Sequence, residues 1–448
     1  MLFKLTQLNV LDMASEIIKS ELDLFKRIPF QDSYEKTESI EYRPTSSLTS
    51  SATIDFEIPV SSDEYVDTQE IYLEVHGKLK TPAGTDFGSS EDGKYSMINY
   101  GLNTIFDQLT VYLNGTLISQ SSKTYPYLAY IEALTESDNT GSLLHMEAAG
   151  FNATHRETVD ADGIQTNLSS KVKQSKEFRL FGKIHGAIFK VDRLLLSGVG
   201  IHLSFTRASD KFCLMGTKGV AGTSTTSDVY PSLNLTKISL HVRKVKLTAK
   251  IMTAHAKALQ LSRAVYPIKT PIIKVLNLAK DHSSFVLDNV IMGQMPCLLI
   301  FGLVSNDAYN GDYTKNPLAF KNFDCIFKAI HVNGELIPKS VYQPDFDKDN
   351  YQREYHDLFL NLGTISSHNY PPITYSDYKK QHCLTVLNLN SDFESPPIGS
   401  YISIPREGYL NIELKFKANL TEGLKLIVYC KFDKVIEIDE ARNVHVDN

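Results

Sequence analysis

The 448-residue chain contains no tryptophan and only five cysteines, at 213, 297, 325, 383 and 430. No two of these cysteines lie close in sequence, which excludes the usual zinc-ligand spacings and gives no disulfide framework. Sparse, scattered thiols fit a reducing compartment. No run approaches the roughly 18–20 apolar residues of a membrane-spanning helix. The opening MLFKLTQLNVLDMASE has neither a continuous apolar stretch nor a small-residue cleavage site, so no signal peptide is read there. The Asn-x-Ser/Thr triplets at Asn114, Asn152, Asn167, Asn234 and Asn419 are accordingly read as chance. Charge imbalance is small as well. A net charge of −6 excludes a surface given over wholly to coating nucleic acid, while leaving room for a local basic patch.

Signatures of catalysis are equally scarce. No serine sits in G-x-S-x-G, and Ser197 in LLSGV lacks the flanking glycines. Gly216, Gly219 and Gly222 are spaced by three, but no G-K-[ST] follows to cradle a phosphate. Asp345, Asp347 and Asp349 mimic the first three ligands of a calcium loop. Asn350 stands where that loop needs glycine and His356 where it needs a bidentate glutamate, so a solvated acidic loop is expected. The thirteen histidines form no H-E-x-x-H, and His255 is read as packed or solvated. No catalytic, cofactor-binding or metal-binding residue is assigned, no cofactor is expected, and the chain is not read as an enzyme. Lys237, Arg243, Lys244, Lys246 and Lys250 form a basic run with two readings. The first is a face of solvated or inter-subunit salt bridges; the second is a patch that meets DNA electrostatically.

What the chain does have is strand pattern, and it has it twice. In FDQLTVYLNGTLIS, Leu109, Val111 and Leu113 alternate, and Asn114-Gly115 supplies the two residues that most readily take positive φ in a type I′ turn. Tyr125, Pro126, Tyr127 and Tyr130 then open a helix running to about Glu136. Residues 327–346 read FKAIHVNGELIPKSVYQPDF, with Asn333-Gly334 at an offset of 333 − 114 = 219. Val199, Ile201, Leu203 and Phe205 match Leu410, Ile412, Leu414 and Phe416 at an offset of 211. ISLHVRKVKL (238–247) matches VYCKFDKVIE (428–437) at 434 − 244 = 190. Three strand blocks recurring in one order indicate two tandem copies of one β-rich domain.

The chain is long enough for two or three domains, each with its own core. Residues 1–40 are assigned to an arm. Its helix starts after Asp12 and aligns Leu11, Ala14, Ile18, Leu22 and Phe25 on one face, for packing on its own domain, a neighbouring subunit or a membrane. Residues 41–250 are the first β-domain, 251–265 a helical linker, 266–440 the second β-domain and 441–448 a polar tail. Cys297–Leu303 is nearly all apolar and reads as a strand buried on both faces. About eight strands per domain with a few long connections suggest an all-β pair of two-sheet sandwiches. A jelly roll is the commonest eight-stranded solution, and an immunoglobulin-like sandwich is not separable from it on pattern alone.

Several long motifs are similar to those of the major capsid proteins of polintons (Mavericks) and the related adintoviruses. They are IKSELDLF (18–25), EYRPTSSLTSSATIDFEIP (41–59), LTVYLNGTLIS with TYPYLAYIEAL, and LSFTRASDKFCLM (203–215). In the second half they are IFGLVSNDAYNGDYTKNPLAFKNFD (300–324), VNGELIP with QPDF, and VIEIDEARNV (435–444). The resemblance implies two tandem jelly-roll domains, a double jelly roll. It implies homotrimers of pseudo-hexagonal outline that act as capsomers, tile an icosahedral shell around double-stranded DNA, and meet neighbouring capsomers, a penton protein and minor capsid proteins. It implies location in the virion, with loops 137–176, 216–228 or 344–382 forming an outer crown. The competing class is a carbohydrate-binding or hydrolytic β-sandwich, which needs paired carboxylates in a cleft.

Overall fold

The computed structural model describes residues 30–48, 52–121, 123–136, 145–152, 166–217, 229–367, 370–390 and 402–447. The first half supplies β1 (Tyr34–Tyr42), β2 (Thr53–Ile58), β3 (Glu64–Lys80), a short β4 (Tyr95–Met97), β5 (Phe106–Leu113) and β6 (Thr116–Gln120). Helix α1 (Tyr125–Glu136) follows, then β7 (Phe178–Lys183), β8 (Ile201–Arg207), a short β9 (Leu214–Gly216) and β10 (Ser232–Leu247). Helix α2 (Ala249–Leu259) leads to β11 (Ala264–Leu278), β12 (Ser284–Gln294), β13 (Leu298–Ser305), β14 (Cys325–Val332) and β15 (Glu335–Leu336). Helix α3 (Gln352–Asn361), β16 (Leu384–Asn388), β17 (Glu407–Phe416), β18 (Leu424–Ile438) and β19 (Val444–Asp447) complete the chain.

The sheets pair β1-β10-β3-β7 and β2-β8-β5-β6 in the first half, and β11-β18-β13-β16 and β12-β17-β14-β15 in the second. Numbering the eight main strands of each half from one to eight, both halves read 1-8-3-6 and 2-7-4-5. That order, all antiparallel, is a jelly roll. The chain is therefore a double jelly roll, and the three sequence recurrences fall on strands four, seven and eight of each roll.

Alternation builds the cores. On β2, Ile54, Phe56 and Ile58 are buried while Asp55 and Glu57 face outward. They join Leu109, Val111 and Leu113 of β5 and Leu203 and Phe205 of β8 in one apolar cluster. The Phe205 ring lies 4.9 Å from Phe106 and meets Phe56 edge-on at 6.1 Å. In the second roll, Leu299, Phe301 and Leu303 of β13 pack with Ile330, Ile412, Leu426 and Val428. The other face of the same sheet, with Ile300, Val304, Ile427 and Tyr429, belongs to the first roll's cluster. This two-sided burial accounts for the nearly unbroken apolar run in β13. It also corrects the expectation of separate cores: the first roll's core continues across the boundary, and only the interior of the second is enclosed by itself.

Both turns take the form expected. Asn114 and Gly115 have φ of 45° and 81°, and Asn333 and Gly334 have 51° and 81°. Each asparagine also binds strand seven in the same way. Asn114 N donates to Gly200 O (3.0 Å) and its Oδ1 accepts from Gly200 N (2.7 Å). Asn333 makes the same pair with Tyr409, both at 2.9 Å.

Four boundaries differ from the sequence reading. β1 starts at Tyr34, inside the range given to the arm; as YEKTESIEY, a charged edge strand with most residues exposed, it lacks alternation. The linker helix spans Ala249–Leu259, and β11 already begins at Ala264. Residues Val444–Asp447 are a strand on β18 rather than a free tail. The match of β8 to β17 shifts by two: Leu113 pairs with Ile201 and Val332 with Leu410, so the offset is 410 − 201 = 209, and a shift of two keeps the same face. The arm residues Leu11, Ala14, Ile18, Leu22 and Phe25 lie outside the described residues, as do Gly219, Gly222 and most of the loop 137–176.

Phe205→Ala empties a fully enclosed site, so it lowers unfolding free energy in denaturant titration by about 3–5 kcal/mol. Phe181→Ala, at a ring 41% exposed, changes the stability of the isolated chain by well under that amount.

Candidate functional site

Helix α1 is the piece that joins the two rolls. It leaves β6 and closes the open side of the first roll between its fifth and sixth strands. Its sequence YPYLAYIEALTE is apolar nearly all round, the pattern of a helix buried on every side. Eleven of its twelve residues, Tyr125 to Thr135, are buried. One side faces its own roll, where Tyr125 Oη donates to Asn103 Oδ1 at 2.7 Å. The other side meets the second roll. Tyr127 stacks on Tyr309 at 5.8 Å, and Tyr130 Oη lies 3.1 Å from His382 Nε2.

Two acids interrupt this apolar helix, one turn apart. Glu132 Oε1 accepts from Tyr429 Oη of β18 (3.0 Å). Its Oε2 accepts from His185 Nδ1 (2.8 Å) and Lys190 Nζ (2.7 Å). Glu136 takes Lys190 Nζ at 2.6 Å and Lys431 Nζ of β18 at 2.8 Å. Burial would push the Glu132 carboxyl up, but the Lys190 charge and the His185 contact outweigh it and hold the group below its ordinary value. Glu136, the one residue of the helix that is not buried, with its side chain 37% exposed, is also held low, because Lys190 and Lys431 outweigh its desolvation. Burial would lower Lys431, but the two carboxylates outweigh it and raise the ammonium above its ordinary value. Burial pushes the Tyr429 phenol well up, so it stays a donor.

Magnitudes separate the roles. Each fully buried Leu, Ile or Tyr of α1 contributes about 1.5–3 kcal/mol, which sums well above any ion pair. Breaking a buried pair by removing one partner costs about 3–5 kcal/mol, because the other charge is stranded. Apolar burial therefore holds the rolls together, and the charges fix how α1 seats against β18.

A second seam lies at the far end of the second roll. Arg442, at φ 69° in the tight turn between β18 and β19, donates Nε to Ser197 O at 2.7 Å. Its own carbonyl accepts from Asn114 Nδ2 at 2.9 Å. The first roll's Asn-Gly turn thus grips the C-terminal turn of the second.

The residues weighed in the sequence land as follows. Asp345 pairs with Lys348 at 3.1 Å, Asp349 with Lys379 at 2.6 Å, and Asp347 with Lys417, so each acid of that loop faces its own lysine. His255 Nδ1 lies 3.0 Å from Tyr65 Oη. Ser197 is buried and serves through its carbonyl. Gly216 sits in β9. In the basic run, Lys237 meets Glu41 and Glu74 (both 3.1 Å), Arg243 meets Asp67 (3.6 Å), Lys244 meets Glu64 (3.1 Å), and Lys246 meets Glu35 and Asp63. The five cysteines are free thiols, four of them buried. Among the described residues, no group of three or more His, Cys, Asp or Glu side chains is placed to hold a metal, and no helix is long and apolar enough to cross a membrane.

Sequence reading missed the network of Glu132, His185, Lys190, Tyr429 and Lys431, whose members are scattered over 300 positions. The one available signal was Glu132 and Glu136, a turn apart on an otherwise apolar helix.

No family model matches the chain. It is similar to an uncharacterized protein of Caenorhabditis elegans, 22% identical over 361 residues, which span 79% of this chain and 82% of that protein. Among solved structures it is similar to a chain in the cryo-EM structure of the Sputnik virophage, at 12% identity and a TM-score of 0.63, covering 96% of this chain and 92% of that one. The Faustovirus major capsid protein gives 11% identity and 0.54, over 95% and 93%. The mavirus major capsid protein gives 11% and 0.53, over 97% and 94%. Identities this low speak for the fold, and they do so over the full length of both rolls.

A carboxyl depressed on folding contributes stability that is complete above its unfolded value and is lost as pH falls through its folded one. Melting temperature therefore falls as pH drops below about 4.5, the ordinary glutamate value. Glu136→Gln lowers the melt at pH 7 and flattens its dependence between pH 7 and 3; an unchanged slope would place the acid lability elsewhere.

Proposed function

We propose that the chain is a major capsid protein of the polinton (Maverick) and adintovirus kind. It builds pseudo-hexagonal homotrimers that tile an icosahedral shell around DNA. The observation that carries this reading is the pair of jelly rolls of one topology, fixed together in a single chain by α1. Three such chains place six similar rolls around one axis, so three-fold symmetry approximates six and the units can pack in a hexagonal lattice. Full-length similarity to viral capsid structures supports the role. A relative in Caenorhabditis elegans supports the finer placement, because a gene of an integrated element resides in a cellular genome.

The other parts of the reading follow. The protein resides in the virion, where its partners are further copies of itself, neighbouring capsomers, a vertex protein and minor capsid proteins. Contact with packaged DNA is weak, because four of the five residues of the basic run already face acids of the same chain. A hydrolytic sandwich would need carboxylates free to act in a cleft. Glu132 and Glu136 line a cleft with His185 and Lys190, yet each is tied to a cation, and both His185 nitrogens are engaged, by Glu132 and by Tyr100 Oη at 2.7 Å. The outer crown is formed by loop 137–176, 216–228 or 344–382.

Size-exclusion chromatography with light scattering on purified protein gives about three times 50.3 kDa. A monomer that cleaves a glycan would overturn the capsid reading. On assembled particles, protease cuts the crown loops before residues 1–40; the reverse order would invert the proposed polarity.

A further inference from the structure

Helices α1 and α3 hold the same position in their rolls, yet their surroundings differ. Each follows the fifth strand and closes the gap before the sixth. Inward, α3 is anchored by Glu354, whose Oε2 lies 2.9 Å from Lys328 Nζ of β14, while Lys328 also reaches Thr385 of β16 at 3.2 Å. Outward, α3 is bare. Only Glu354 and Leu358 of its ten residues are buried, against eleven of twelve in α1. The difference follows from position: the outer side of α1 is covered by the β18 sheet of the second roll, and the described residues include no third roll to cover α3. Its exposed residues are Gln352, Arg353, His356 and Leu360, and Leu360, 53% exposed, lines a groove with Ile337, Pro338 and Leu387 of its own roll.

The complementary vacancy lies on the first roll. In the second roll, the β18 face that receives α1 presents Tyr429 and Lys431. At the offset of 190, their counterparts on β10 are Ser239 and His241. Beside them, Tyr72 and Phe181 stack at 5.3 Å, with His241 against the Phe181 ring at 5.5 Å and Phe181 41% exposed. Glu74 at the centre is fully engaged within the face, by His76, Lys237, Ser239 and His241 at 2.9–3.1 Å. Covering this face therefore does not strand Glu74. The turns tell the same story. Asn114 gives its amide to the second roll, whereas Asn333 Nδ2 has no acceptor among the described residues.

We propose that a second copy of this chain closes both vacancies: the outer side of α3, centred on Leu360, seats on the outer β1-β10-β3-β7 face of the next copy, centred on Tyr72 and Phe181. The inference rests on the trimer reading above and assigns its contact surface. The join between chains repeats the join between rolls within a chain, with an apolar pair, Leu360 on Phe181, where the internal seam has its ionic lock. In the trimer, head-to-tail repetition of this contact forms a closed ring.

The test uses the full chain with Phe181→Glu, Leu360→Glu, and the pair Phe181→Lys with Leu360→Glu, followed by light scattering at micromolar concentration. Both sites are exposed, so the single variants keep the wild-type melt of the monomer. Each single variant shifts the mass from about three times 50.3 kDa to 50.3 kDa, and the oppositely charged pair restores the larger species. As a second readout, Phe181→Cys with Leu360→Cys gives an inter-chain disulfide under mild oxidation. A wild-type trimer that persists in both single variants, or a cysteine pair that never cross-links, overturns the proposed surface while leaving the trimer intact. A monomeric wild type overturns the trimer itself.

Discussion

Everything in this molecule depends on the removal of α1 from water on two sides at once. A helix apolar around its whole circumference has no stable place on the surface of a single roll. The first roll covers one side, closing its own gap with it, and the second covers the other. The two rolls are therefore not beads on a linker. The helix between them in sequence, α2, has no buried residue at all, while the helix between them in space is almost wholly enclosed. Relative orientation is then set by a polar device of fixed geometry. Glu132 takes hydrogen bonds from both rolls, from His185 on one and Tyr429 on the other. An apolar seam alone tolerates sliding; a carboxylate with three donors around it does not.

Much of the fold was legible because it rests on local chemistry. Asn-Gly at 114 and 333 fixes a turn by positive φ, and the strands on either side alternate because one face is buried. The repeats could be found because buried positions in both rolls keep the same residue types. What failed has physical reasons too. β1 is an edge strand whose charged side chains guard its open edge, and such a strand carries no period-two signal. The two-residue slip between β8 and β17 arose because apolar residues on one face match equally well at any even shift, and hydrogen bonds alone choose among them. The site was least legible. Glu132, Lys190 and Lys431 meet only after both rolls have formed and docked, so no window of sequence holds them together.

The polar side chains that attract attention in sequence turn out to be spoken for. The three aspartates at 345, 347 and 349 each face a lysine, and the basic run on β10 is met strand by strand by acids of β1 and β3. Pairing of this kind adds little stability where it is exposed. It does leave a surface with few unsatisfied charges, which suits faces that become buried against identical neighbours, where a stranded charge would cost several kcal/mol.

The order of the chain gives α1 a history as well as a place. Its outer side waits for β18, which begins at Leu424, so 424 − 136 = 288 residues must be made before its cover exists. At common rates of synthesis that is roughly 15–60 s. During that interval α1 carries an unprotected band of tyrosine, leucine and isoleucine on the nascent chain. The ribosome-bound chain thus carries an apolar band open to association until the last strands of the second roll are made.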